Sequence, residues 1–229
     1  MGLDVEAPVV ALDGPSGAGK GAVGQDLALG LGWHFLDSGA LYRALAFLAQ
    51  THQVAASDTE GLTRLACSLD FSCVPRRNDS AQILIARQDV SAALRSEQCG
   101  ELASVIAAVP ALRTALLKHQ RALRRAPGLV ADGRDMGSVV FPDAILKVFL
   151  TATPAVRARR RHKQLKNKGL DVTLRRLESV IKERDRRDRE RSISPLQVTR
   201  DAVEIDSSAM SIAEVVARVM ELLRERIDQ

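Results

Sequence analysis

Five short apolar runs punctuate the chain: Val9-Val10-Ala11-Leu12, Trp33-His34-Phe35-Leu36, Leu129-Val130-Ala131, Ile145-Leu146-Lys147-Val148-Phe149-Leu150 and Ala202-Val203-Glu204-Ile205. Runs this short, with little polar alternation, predict strands buried on both faces of a parallel sheet covered by helices. Helical patterns lie between most of them. Thr153-Pro154 predicts a helix start just after the fourth run, with a cap residue followed by an N1 proline. Ser211 with Glu214 three residues on predicts a capping box. The helix it opens places Ile212, Val215, Val216, Val219, Leu222, Leu223 and Ile227 on its inner side. Residues 63–95 break the rhythm. There Phe71-Ser72-Cys73-Val74, a polar stretch over 75–80, and Gln82-Ile83-Leu84-Ile85 read as strand, turn and strand, a hairpin inserted into an α/β pattern.

Composition narrows the choice of class. The 229 residues are 46% hydrophobic and 27% charged, the balance of a soluble globular protein with no repeat or low-complexity linker. Lys and Arg exceed Asp and Glu by 33 to 28, so the chain carries +5 and favours anionic partners: nucleic acid, a membrane surface or phosphorylated small molecules. Five Phe, one Tyr and one Trp are too few for a broad base-stacking platform, which argues against nucleic acid. Cys67, Cys73 and Cys99 form no C-x-x-C pair, so neither a disulfide framework nor a zinc site is expected. Residues 1–8 are acidic rather than basic, and no run approaches the roughly 18 apolar residues of a membrane span. The expectation is a cytoplasmic protein without a membrane partner.

The sharpest motif is Gly14-Pro15-Ser16-Gly17-Ala18-Gly19-Lys20, a G-x-x-x-x-G-K directly after the first strand and before a helix. Its glycines let the backbone turn tightly, so that successive N–H groups face phosphate oxygens. The helix start that follows adds partial positive charge, and Lys20 adds a full one. A plain glycine turn is the bland alternative, and the position after a strand decides against it. The pattern therefore predicts a nucleoside triphosphate site. It departs from the usual motif in one respect: Gly21 and Ala22 follow the lysine, where a hydroxyl would contact Mg²⁺. Mg²⁺ would then be held mainly by phosphates and waters, with Ser16 the nearest hydroxyl of the loop.

Charged residues collect after two other strands, in Asp37-Ser38-Gly39-Ala40-Leu41-Tyr42-Arg43 and Asp132-Gly133-Arg134-Asp135-Met136-Gly137. Ligands of open α/β sheets gather at the carboxyl ends of strands, so both segments are candidate ligand contacts beside the phosphate loop. Two later segments hold the densest charge. Arg157, Arg159, Arg160, Arg161, His162 and Lys163 open one helix, and the run 182–191 carries Arg184, Asp188 and Arg191 at i, i+4 and i+7, on one face. A charge run alone reads as a solvated, salt-laced helix. Beside a phosphate loop, arginine forks suit the oxygens of a transferring phosphoryl group. Lys166-Asn167-Lys168-Gly169 reads as a mobile turn that would let an arginine-rich lid close.

Together these motifs resemble bacterial-type cytidylate kinases, of the nucleoside monophosphate kinase group of P-loop proteins. The matching blocks are 12–21, 36–43, 131–142 and 181–189, in family order over nearly the whole chain, and the Asp-Gly-Arg-Asp-Met-Gly block is the narrowest. The resemblance implies an α/β P-loop kinase fold: a five-stranded parallel core sheet flanked by helices, a small antiparallel insert of three strands and a helical lid. It implies one kinase domain over 1–229, a monophosphate-binding insert over 63–103 and a lid over 154–172. It implies transfer of the ATP γ-phosphoryl group to CMP or dCMP with Mg²⁺, in a monomer whose partners are small nucleotides.

Carried over by position, Ser104, Arg113 and Asp135 read the cytosine edge, and Arg184 and Asp188 hold the sugar. Arg43, Arg134, Arg184 and Arg191 surround the CMP phosphate, with Ser38 close by. Residues 14–22 take the triphosphate with Arg157 and Arg161, while Lys20, Arg134, Arg184 and Arg191 do the catalytic work. Named singly, the loop contacts are Gly14, Pro15, Ser16, Gly17, Ala18, Gly19, Lys20, Gly21 and Ala22. Ala86-Arg87-Gln88-Asp89 stands where the insert of such kinases commonly turns through a glycine. The alternatives are a small P-loop kinase for AMP, UMP or shikimate, and a basic nucleic-acid-binding protein. Asn167-Lys168-Gly169-Leu170 is superficially similar to the guanine motif of GTP-binding switches, but its aspartate is displaced to Asp171.

Overall fold

The computed structural model describes residues 6–77, 79–166, 172–191 and 193–228. In chain order the elements are β1 (Val9–Asp13), α1 (Lys20–Leu31), β2 (His34–Asp37), α2 (Ser38–Thr51), α3 (Thr59–Cys67), β3 (Phe71–Val74), β4 (Gln82–Ile85) and β5 (Gln88–Asp89). There follow α4 (Glu97–Ile106), α5 (Pro110–Ala122), β6 (Leu129–Asp132), a π-helical turn Met136–Val140, β7 (Leu146–Thr151), α6 (Pro154–Lys166), α7 (Leu174–Glu190), β8 (Val203–Asp206) and α8 (Ile212–Ile227). Five strands form a parallel sheet in the order β2-β6-β1-β7-β8, and β3-β4-β5 form a separate antiparallel sheet. All five apolar runs are strands, each within a residue or so of its expected place. The central strands β1 and β6 are buried along their whole length, as strands covered on both faces are, whereas the edge strand β8 is mostly exposed or half-buried.

The chain divides into two compact units, Met1–Val9 with Gln25–Asp132, and Val10–Gly24 with Gly133–Gln229. In the first, α2 packs on α3 and α4, and α3 packs on α5. Leu41, Leu45, Leu62, Leu112 and Leu116 are fully buried. Asp37 caps α2 by accepting the N–H of Ala40 at 2.9 Å, so the helix begins immediately after the strand. The expected hairpin is present as β3 and β4, and the turn into β5 needs no glycine. Ala86 and Arg87 take φ values of 48° and 65° there, as a two-residue hairpin turn of type I′ requires.

In the second unit, α6 packs on α7 through Ala158, Leu177 and Ile181, with Leu165 and Val172 against them. α6 starts at the expected proline, and Thr153 Oγ1 accepts the N–H of Val156. The capping box of α8 is complete: Ser211 Oγ accepts from Glu214 N, and the Glu214 carboxylate accepts from Ser211 N. Val215, Val219, Leu222 and Leu223 are buried as expected, and Ile212 and Val216 are half-buried. Ile227 is a correction to the expected inner face. It is 60% exposed, because it is the last helical residue and lies beyond the part of the helix that is covered. Residues 167–171, which include most of the expected mobile turn and the later part of the 154–172 lid, lie outside the described residues.

Candidate active site

The phosphate loop belongs to the second unit and runs from the end of β1 into α1. Gly14 has φ 144°, and a Cβ there would sit 2.0 Å from the Leu150 carbonyl oxygen, so only glycine lets the loop leave β1 against β7. Gly17, at φ 81°, lies against Arg157, whose Cβ would be 3.2 Å from an added methyl. Lys20 is buried and donates from Nζ to the Pro15 carbonyl at 3.0 Å, which curls the lysine back over its own loop.

Asp13, the last residue of β1, anchors the segment that carries Arg134 and Asp135. Its two carboxylate oxygens accept the N–H groups of Met136 and Gly137, each at 2.8 Å. Burial pushes Asp13 up to about 6, against the opposing pull of those two N–H groups, while Asp135 raises it further and Lys20 lowers it. Asp135 is itself only 3% exposed.

Arg134 donates from Nε to Asp188 Oδ2 at 2.8 Å, across 54 positions of sequence. Arg191 reaches the other oxygen of Asp188 at 3.4 Å, and Arg184 also acts on that carboxylate. Burial alone would push Asp188 up, but Arg134, Arg191 and Arg184 together hold it below the usual carboxylate range. The spacing read from the sequence therefore gathers Arg184, Asp188 and Arg191, and the structure adds Arg134 to them. α7 ends at Glu190, so Arg191 joins the cluster as the residue capping the helix, with φ −57° and ψ 132°. The opposite face is the salt-laced one: exposed Arg186 bridges Glu183 and Glu190.

Arg157 and Arg161 have different surroundings. Arg161 is exposed. Arg157 is 3% exposed, donates from Nη1 and Nη2 to the two oxygens of Asp185 at 2.9 and 2.6 Å, and also reaches the Ser16 and Ala152 carbonyls. A cavity of about 550 Å³ borders Pro15, Thr153, Arg157, Lys182, Asp185 and Arg189.

The first unit holds the other assigned residues. Ser38 is 5% exposed, and its Oγ accepts from Gln120 Nε2 at 3.3 Å. Arg43 donates to the Leu94 carbonyl at 3.1 Å and lies alongside Gly100. Arg113 donates to the Ala107 carbonyl at 3.1 Å, and its guanidinium carbon lies 5.7 Å from the Tyr42 ring centroid, within cation–π range. Ser104 is half-buried on α4. The three cysteines are free, as expected. Burial first, then Asp37 and Asp132, push the Cys73 thiol well above its usual range, which leaves it a poor nucleophile.

Gly21 and Ala22 offer Mg²⁺ no hydroxyl, and among the described residues no three His, Cys, Asp or Glu side chains cluster as a metal site. A magnesium ion carried by the triphosphate and its waters fits this donor set. Sequence reasoning missed Asp185, Gln120 and Ser207 as supports of the site. Asp185 sat in plain view within a charge run, but nothing in its spacing pointed to Arg157, 28 residues away.

The chain has relatives that are about half identical to it over nearly the whole of their length. A relative from Methylococcus capsulatus, a cytidylate kinase, is 57% identical over 209 residues, covering 91% of this chain and 93% of its own. A cytidylate kinase from Stutzerimonas stutzeri is 52% identical over 220 residues, covering 96% of both chains. Among solved structures, an uncharacterized protein from Eubacterium ventriosum matches with TM-score 0.52 at 11% identity, over 95% of this chain and 98% of that one, a likeness of fold alone. The family model for cytidylate kinase matches residues 10–225, and the chain belongs to the cytidylate kinase family.

Proposed function

We propose that the protein transfers the γ-phosphoryl group of ATP to CMP or dCMP, giving ADP and CDP or dCDP. The observation that carries this reading is the gathering of Arg134, Arg184 and Arg191 around Asp188, in the same unit as the Lys20 phosphate loop. Cationic forks held in place by one carboxylate are preorganised for phosphate oxygens, and arginine cannot lose its charge at working pH.

The chemistry asks little of the protein in covalent terms. A nucleoside monophosphate has a second pKa near about 6, so its attacking oxygen is largely ionised at neutral pH and needs no general base. That oxygen bonds to the γ-phosphorus as the bond to the β,γ-bridging oxygen breaks, and the electron pair leaves on ADP. Lys20 and the loop N–H groups of residues 14–22 hold the triphosphate. Arg43, Arg134, Arg184 and Arg191 hold the acceptor phosphate, with Ser38, and neutralise the charge in flight. Ser104, Arg113 and Asp135 read cytosine, while Arg184 and Asp188 take the sugar. Mg²⁺ supplies charge neutralisation when bound with ATP. Arg161 serves the triphosphate directly, and Arg157 serves it through the loop carbonyl it already holds. The insert over 63–103 binds the monophosphate and the lid over 154–172 excludes water, so that ATP is not simply hydrolysed. The working form is a cytoplasmic monomer that takes small nucleotides and no nucleic acid. Among the described residues no single helix is long and apolar enough to cross a membrane.

The test is ADP release with ATP and a panel of monophosphates and shikimate. Saturable turnover of CMP and dCMP is the expected result. Activity on AMP, UMP or shikimate, with none on CMP or dCMP, overturns the reading.

A further inference from the structure

The phosphate loop is gripped by side chains that do not belong to it. The Ser16 carbonyl accepts from Arg157 Nη1 at 3.1 Å. The Ala18 carbonyl accepts from Ser207 Oγ at 2.9 Å and from Arg160 Nη1 at 3.2 Å. Ser207 immediately follows β8 and is 2% exposed. Its own position is fixed several times over. Its N–H donates to the Thr151 carbonyl at 2.8 Å, its carbonyl accepts from Arg160 Nη2 at 2.6 Å, and its Oγ accepts from Arg160 Nη1 at 3.1 Å. The hydroxyl also lies 3.0 Å from the Thr151 carbonyl, so one proton serves two oxygens.

Peptide geometry converts this grip into function. A trans peptide points its C=O and the following N–H in opposite directions. Holding the Ala18 carbonyl toward Ser207 and Arg160 therefore turns the Gly19 N–H the other way. Gly19, at φ 102°, is in a backbone region that only glycine enters freely, and glycine alone would leave the peptide plane free to turn. The grip removes that freedom before any anion arrives. A preset N–H costs no reorganisation on binding, which is where preorganised donors gain their strength.

We propose that Ser207 and Arg160 are positioning residues of the triphosphate site, holding the Ala18 carbonyl so that the Gly19 N–H is preset for a phosphate oxygen. This deepens the ATP reading of the loop and rests on it. Neither residue touches the nucleotide in this role; both act through one peptide unit.

The probes are ATP, inorganic tripolyphosphate and CMP, each titrated calorimetrically into the wild-type chain, Ser207→Ala, Arg160→Met and Arg160→Lys. Tripolyphosphate has no base or sugar, so it reports on the loop alone. Ser207→Ala and Arg160→Met should each weaken ATP and tripolyphosphate by the same factor, about five- to tenfold for one lost hydrogen bond to the loop, with CMP affinity unchanged. Arg160→Lys, which can reach one carbonyl but not both, should recover part of the loss. Weakening of ATP without tripolyphosphate would put Ser207 at the nucleoside end and overturn the proposal. So would unchanged affinity for both, or an equal loss for CMP, which would signify general structural damage. A wild-type chain that binds neither ATP nor tripolyphosphate would instead refute the triphosphate reading itself.

Discussion

Replacing Asp185 with alanine removes one half of a buried ion pair and leaves the other half in place. Asp185 and Arg157 have side-chain exposures of 8% and 3%, and their two parallel hydrogen bonds are 2.9 and 2.6 Å long. Such a pair adds little over a well-packed apolar one, because desolvating both charges offsets most of their attraction. Breaking it is different, since the remaining guanidinium stays buried without its countercharge, at a cost of about 3–5 kcal/mol. In a chain of this size each kcal/mol lowers the melting temperature by about 2–4 °C, so the expected drop is roughly 6–20 °C. The assay is thermal unfolding followed by calorimetry at neutral pH. Glu183→Ala serves as the control, because Glu183 is half exposed and its pairing with Arg186 is screened by solvent and should contribute little. Arg157→Met combined with Asp185→Leu should recover most of the loss. A cost for Asp185→Ala within about 1 kcal/mol of the control, or a double variant no better than the single one, would refute the reasoning.

Three further outcomes follow from other residues. Asp13 has its proton affinity raised from 3.8 to about 6 in the folded chain, so its ionisation opposes folding. The stability it lends is full below the unfolded value and is lost as pH rises through about 6; wild type should gain stability over Asp13→Asn on acidification from about pH 7 to 5, and a constant difference between their melting temperatures would contradict this. Gly14→Ala should fold poorly or not at all, since its methyl would meet the Leu150 carbonyl at 2.0 Å; a soluble variant with wild-type melting would remove the argument. Arg191→Ala should lower kcat with CMP by about a hundredfold or more while the fold survives, and wild-type turnover would remove Arg191 from the site.

Much of the architecture was legible because it depends on local pattern. The core strands announced themselves as apolar runs, and α8 as a capping box, because burial on both faces and cap chemistry are written within a few residues of each other. Ile227 escaped the pattern: periodicity says which side of a helix an apolar residue faces, but not whether the neighbouring structure extends that far. The turn at Ala86-Arg87 shows the same limit from the other side. Its positive φ values are imposed by the hairpin rather than favoured by the residues. Within the site, the loop and the Asp-Gly-Arg-Asp block were readable as motifs. Their supports were not, because Asp13 holds residues 136 and 137, and Ser207 holds residue 18, across separations that no spacing rule covers.

The charge run on α7 shows why counting acids and bases could not decide between a solvated helix and a ligand site. The helix is both. Glu183 and Glu190 share Arg186 in water, at 50–61% exposure, where such pairs are worth little. Asp185, two residues from Glu183, points instead at Arg157 and is buried with it. Asp188 points a third way, to Arg134 and Arg191, at side-chain exposures of 13–18%. Four neighbouring acids thus have three fates, fixed by what each one faces rather than by its place in the run. Energy separates them where composition does not. The exposed pairs can be altered at little cost, whereas Asp185 and Asp188 each hold guanidinium groups in a place where leaving them unneutralised would cost several times more. The excess of +5 is therefore the wrong quantity from which to read the site. The informative quantity is how many of the basic groups are held still, and by which carboxylates.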